Sequence, residues 1–79
     1  MIMMNKYRRK QLQLVLDSLE NLMQDLDTIR DDEQEAFDNL PEGLQTSERG
    51  EAMEEALSSL EDAYSGIEDV ISSIEAAME

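Results

Sequence analysis

Glu54 to Glu79 reads EEALSSL EDAYSGI EDVISSI EAAME, three full seven-residue units and the start of a fourth. Each unit sets large apolar residues at the same two places: Leu57 and Leu60, Tyr64 and Ile67, Ile71 and Ile74. A seven-residue repeat of this kind is the period of a helix packed lengthwise on other helices. The run starts at Met53 and reaches Met78 without a lapse. Every unit also carries carboxylates, namely Glu54, Glu55, Glu61, Asp62, Glu68, Asp69 and Glu75, and none carries Lys or Arg. A helix selected for stability alone sets Glu against Lys four residues later. A one-sign stripe calls for another explanation.

Upstream the same grammar recurs. Leu12, Val15, Leu19, Leu22, Leu26 and Ile29 alternate steps of three and four, and Ala36 and Leu40 continue them after a lapse at Glu33. With Leu12 at heptad position a and Val15 at d, this is a second seam. Between the two runs lies DNLPEGLQTSERGE, residues 38–51. Pro41 removes a donor and biases Leu40 away from helical geometry, so the first helix should stop near Asn39. Gly43 is suited to a left-handed turn, and Leu44 is expected to fold back over the end of the bundle. Thr46 or Ser47 offers an N-cap for the second helix, with Glu48 and Glu51 near its positive end. The expected fold is all-α: an antiparallel helical hairpin forming one domain over 1–79, with helix one at about 5–39, a corner at 40–46 and helix two at about 47–78.

Two helices side by side bury only a seam, and this chain offers more. On helix one the e positions are Leu16, Met23, Arg30 and Phe37; on helix two the g positions are Ala56, Ala63, Val70 and Ala77. Apolar faces wider than a and d belong to bundles of three or more helices. A twofold homodimer forming a four-helix bundle is the simplest expectation, with Leu12, Val15, Leu19, Leu22, Leu26, Ile29, Leu57, Leu60, Tyr64, Ile67, Ile71 and Ile74 as core or dimer interface. A monomer whose spare strip docks on a partner helix is the competitor. Glu33 breaks the seam and is expected to pair with Arg30 or Arg49, because a lone carboxylate in a core is costly.

Composition excludes most chemistry. The 79 residues contain no Cys and no His, which removes disulfides, zinc fingers, His-based acid–base catalysis and the Glu-x-x-His di-iron arrangement. Ser58, Ser59, Ser65, Ser72 and Ser73 have no base beside them. Gly43 and Gly50 are not followed by the Lys-Ser or Lys-Thr of a phosphate loop. Asp25, Asp27, Asp31, Asp32, Glu33 and Glu35 are dense but point several ways around a helix and lack the glycine turn of a calcium loop. No catalytic, cofactor-binding or metal-binding residue is assigned, and no enzyme activity is expected. No apolar run approaches signal-peptide or membrane-spanning length, so a cytoplasmic location, with no membrane partner, is the expectation.

Charge points to a partner class. Six basic against 20 acidic residues give −14, and four of the six bases (Lys6, Arg8, Arg9, Lys10) lie in the first ten residues. Past them two bases oppose 20 acids, so residues 11–79 carry −18. That charge disfavours direct nucleic-acid binding and favours a basic protein surface. The basic cluster is expected to lie beside the end of helix two, near Glu68, Asp69, Glu75 and Glu79. Along a rod of about 50 Å, −14 is one charge per roughly 3.6 Å, and a side-by-side dimer reaches one per roughly 1.8 Å, against about 1.7 Å for duplex DNA.

The corner Leu40-Pro41-Glu42-Gly43-Leu44-Gln45, followed by Ser47-Glu48-Arg49-Gly50-Glu51, carries a resemblance. With its Glu33-Gln34-Glu35-Ala36-Phe37 lead-in and Leu60-Glu61-Asp62 heptads, the stretch from Asp31 to about Asp69 resembles small uncharacterised acidic helical proteins of bacteriophages and bacterial mobile elements. In size, charge and helix content the chain is also similar to phage-encoded DNA mimics that inhibit host nucleases, including anti-CRISPR and anti-restriction proteins. What the resemblance implies is a non-enzymatic inhibitor in a bacterial cytoplasm, docking Glu54, Glu55, Glu61, Asp62, Glu68, Asp69 and Glu75 on a nucleic-acid-binding protein. A structural or adaptor module, using its apolar face on a partner helix, is the alternative.

Overall fold

The computed structural model describes residues 4–79; the first three residues of the 1–79 domain lie outside them. The fold is an all-α hairpin: α1 (Lys6–Asp38), a single turn α2 (Glu42–Gln45) and α3 (Glu48–Met78), with α1 and α3 packed antiparallel along their length. The Asn5 side chain caps α1 by accepting from the Arg8 amide at 2.8 Å. Asn39 closes it, its amide reaching the Glu35 and Phe37 carbonyls, and Pro41 prevents continuation. Ser47 caps α3 by accepting from the Gly50 amide, and Glu48 and Glu51 sit in its first turn, where the helix dipole favours them.

The corner differs from the sequence expectation in three ways. Residues 42–45 form a helical turn, because the Pro41 carbonyl accepts the amides of Leu44 at 2.8 Å and Gln45 at 3.2 Å. Gly43 therefore has no positive φ and takes ordinary right-handed geometry. Leu44 is exposed rather than plugged in. Its expected place is taken by Gln45, whose amide nitrogen donates to the Leu40 carbonyl at 3.2 Å and the Phe37 carbonyl at 3.4 Å. The Phe37 carbonyl belongs to the last turn of α1 and that of Leu40 lies just beyond it, where the helix ladder no longer supplies its amides.

The seam also settles differently on the two helices. On α3 the a and d residues face inward: Leu57 is buried at 7% exposure, and Leu60, Tyr64, Ile67, Ile71 and Ile74 are half-buried. On α1 the a residues Leu12, Leu19 and Leu26 are half-buried, but their partners are the e residues Leu16 (5% exposed), Met23, Arg30 and Phe37. The d residues Val15, Leu22 and Ile29, expected in the seam, are 45%, 52% and 53% exposed. One neighbouring helix can cover only one flank of the a row. The e flank extends from Arg9, at the open end, to Phe37, at the corner, and it wins.

Arg9 accounts for the open end. Its Nε donates to the Met78 carbonyl at 2.7 Å, placing a cation on an orphan acceptor at the negative end of α3. Through Arg9 the basic cluster reaches the end of α3, as expected, without ion pairs to Glu68, Asp69, Glu75 or Glu79 among the described residues. Glu33 likewise pairs with neither Arg30 nor Arg49, because Arg30 turns to other carboxylates. The hairpin is 60 Å long, 18 Å wide and 11 Å thick.

Candidate protein-binding face

Heptad geometry decides which carboxylates share a face. On α3 the e row, Glu54, Glu61, Glu68 and Glu75, flanks the seam on one side, and the f row, Glu55, Asp62 and Asp69, turns onto the outer edge. All seven are exposed. Successive members of a row are one heptad apart, about 10.5 Å along the axis.

The orientation of α1 completes the face. Arg30 crosses the seam to Glu61: its Nε and Nη2 each lie 3.1 Å from Glu61 Oε1, while Nη1 lies 3.4 Å from Asp31 Oδ1. A shallow open depression beside this bridge is lined by Asp27, Arg30, Glu61, Tyr64 and Ser65. The b row of α1, including Glu20 and Asp27, therefore lies on the same side as the e row of α3. Both of these b-row carboxylates are exposed. They went unassigned in the sequence because their side of the hairpin depends on which flank of α1 faces α3.

This face can attract and orient cations. No group of three or more carboxylates converges closely enough to hold a metal ion among the described residues, and Asp25, Asp27, Asp31, Asp32, Glu33 and Glu35 stay dispersed. Tyr64, half-buried, is among the residues that line the depression. Among the described residues Arg30 is the cation that forms ion pairs with these carboxylates, and it compensates two of them only partly. No helix among the described residues is long and apolar enough to cross a membrane.

No family model, curated protein or solved structure matches the chain. Its functional reading rests on its own surface.

Proposed function

We propose that the chain is a non-enzymatic acidic interaction protein whose carboxylate face docks on a basic, nucleic-acid-binding protein surface. The observation that carries this is the acidic face: the e and f rows of α3, joined by Glu20 and Asp27 of α1, all exposed, with Arg30 forming the one ion pair across the seam among the described residues. Self-repulsion destabilises a compact fold, so a regular and nearly uncompensated array has a cost that solubility does not require. Fourteen net charges along 60 Å come to one per about 4.3 Å, sparser than the sequence estimate because the hairpin is longer. Two hairpins side by side reach one per about 2.1 Å, still close to the 1.7 Å of duplex DNA. A phage-encoded inhibitor of a host defence nuclease, of CRISPR or restriction type, is the specific form this function takes in our proposal.

The test is displacement of duplex DNA from a panel of CRISPR and restriction nucleases. The wild-type chain displaces DNA from at least one of them, and Glu54→Lys, Glu61→Lys and Glu68→Lys together abolish that effect while the helical signal is retained. Unchanged displacement by the triple variant would falsify the proposal.

The exposed Val15, Leu22 and Ile29 favour a second reading, an adaptor that binds a partner helix through apolar contacts. Such binding is insensitive to salt and is lost on Leu22→Asp. Leu57 and Ile71 are unsuitable probes, because both hold the hairpin itself together.

A further inference from the structure

The face opposite the carboxylates is apolar, and its two halves differ in relief. Arg30 and Glu61 fix one side of the hairpin; the other side then carries the d row of α1 and the g row of α3. The α1 half is a ridge of Val15, Leu22 and Ile29, all exposed. The α3 half is lower, a furrow interrupted by Val70, which is 48% exposed: the rest of its g row is Ala56, Ala63 and Ala77, and its rim at the c positions is Ala52, Ser59, Gly66 and Ser73. An added Cβ at Gly66 would meet nothing within 4 Å. A mid-helix glycine costs about 1 kcal/mol relative to alanine, and no contact within the hairpin requires one there.

We infer that this face is covered by a second copy of the chain, the ridge of each copy lying in the furrow of the other. Three observations select a second copy as the occupant. The chain exposes 6023 Å² at 9.0 kDa, about 1,200 Å² more than a compact monomer of that mass. That surplus exceeds the roughly 800 Å² each partner contributes to a stable interface. Asp25 and Asp32 flank the ridge on its outer side, but the furrow and its rim contain no carboxylate, so two chains of −14 can approach here with the acidic rows of α3 turned outward. Finally, ridge and furrow lie side by side on one face and run to matching heights.

A twofold axis along the hairpin places α1 of each copy antiparallel on α3 of the other. Arg30 beside Glu61 and Arg9 beside Met78 set the heights, at which Leu22 stands level with Gly66, Val15 with Ser73 and Ile29 with Ser59. A twofold across the hairpin would instead set ridge on ridge and leave the furrows empty. The first arrangement is the one that fills space.

Light scattering coupled to size exclusion tests the dimer, with the full chain in physiological salt. The wild type elutes at twice 9.0 kDa, and Leu22→Asp and Gly66→Leu each halve the mass without loss of helical signal. A wild-type mass of 9.0 kDa at all concentrations up to about 1 mM overturns the inference and leaves the face to an amphipathic helix of another protein. A dimer that survives both substitutions overturns it equally. Cysteine cross-linking tests the arrangement, since the chain has no Cys of its own. Leu22→Cys with Gly66→Cys links two chains on oxidation, and neither single variant does. Linking by Leu22→Cys alone shows ridge on ridge and overturns the ridge-in-furrow packing.

Discussion

At Gly50 the backbone of α3 packs hard against the corner before it. A Cβ there would stand 2.1 Å from the Gln45 carbonyl oxygen and 2.7 Å from that of Leu44, both backbone atoms that cannot swing aside. Gly50→Ala should therefore force α2 away from α3, breaking the Ser47 cap and the Gln45 contacts with the end of α1. We expect a loss of about 3 kcal/mol, the upper end for overpacking, seen as a fall of at least about 10 °C in the thermal melt followed by circular dichroism. Gly43→Ala is the matched control. Nothing lies within 4 Å of its Cβ position and its φ is not positive, so alanine should be neutral or stabilising by about 0.5 kcal/mol. Equal effects of the two substitutions would refute the close approach. The pair also shows what local sequence conveys at the corner. Pro41 and Ser47 act on their own backbone neighbours, and their roles were legible. The need for Gly50 arises from a carbonyl five residues earlier brought back by a helical turn, and no local pattern signals that. Gly43 was misread for the converse reason: glycine permits a left-handed turn without demanding one.

At the scale of the helices, the decisive event is the choice of flank on α1. The d row, Val15, Leu22 and Ile29, is uniformly apolar, whereas the e row contains Arg30, so counting hydrophobic residues favours d. The structure buries e because Leu16 and Met23 fill the seam, Phe37 closes the corner end, and Arg9 on the same row reaches the Met78 carbonyl. Periodicity made two helices and their antiparallel return legible, since a and d are the same on both sides of a long run. It left the rotation of α1 open, and with it the side on which Glu20 and Asp27 lie. Leu16→Ala should cost about 2–5 kcal/mol, whereas Leu14→Ala, at an exposed position remote from both flanks, should change stability by less than about 0.5 kcal/mol. Denaturant unfolding of the two variants checks this, and a larger loss at Leu14 would mean α1 is turned otherwise. Arg30 is the polar residue at mid-length of that row, and its bridge to Glu61 is partly exposed, worth at most about 1 kcal/mol. Arg30→Leu should leave the melting midpoint within about 5 °C of wild type while deepening the charge of the acidic face. Binding of a polylysine probe should tighten accordingly. Weaker polylysine binding by a folded Arg30→Leu variant would count against that face as the docking surface.

Across the whole molecule, the two faces place opposite demands on the solvent. The acidic rows repeat every 10.5 Å or so, and the Debye length is about 30 Å at 0.01 M ionic strength but about 8 Å at 0.15 M. In dilute buffer each carboxylate thus acts on neighbours up to three heptads away, and near physiological salt it scarcely reaches the next one. Folding aligns these rows, and the cations that answer them are few: Arg30 at mid-length, and a basic N-terminal cluster of which, among the described residues, Arg9 makes the one long-range hydrogen bond. Screening should therefore stabilise the hairpin, raising the melting midpoint by about 4–8 °C over that range if self-repulsion amounts to about 1 kcal/mol. The same screening should weaken polylysine binding about tenfold or more, because that attraction works through the same unpaired charges. Salt should thus move stability and binding in opposite directions in one sample, read by circular dichroism and by titration at fixed protein concentration. A flat melting midpoint would mean the carboxylates are too well solvated to strain the fold, removing the reason to assign them a role beyond solubility. Binding that resists salt would move the contact from the acidic face to the ridge and furrow behind it.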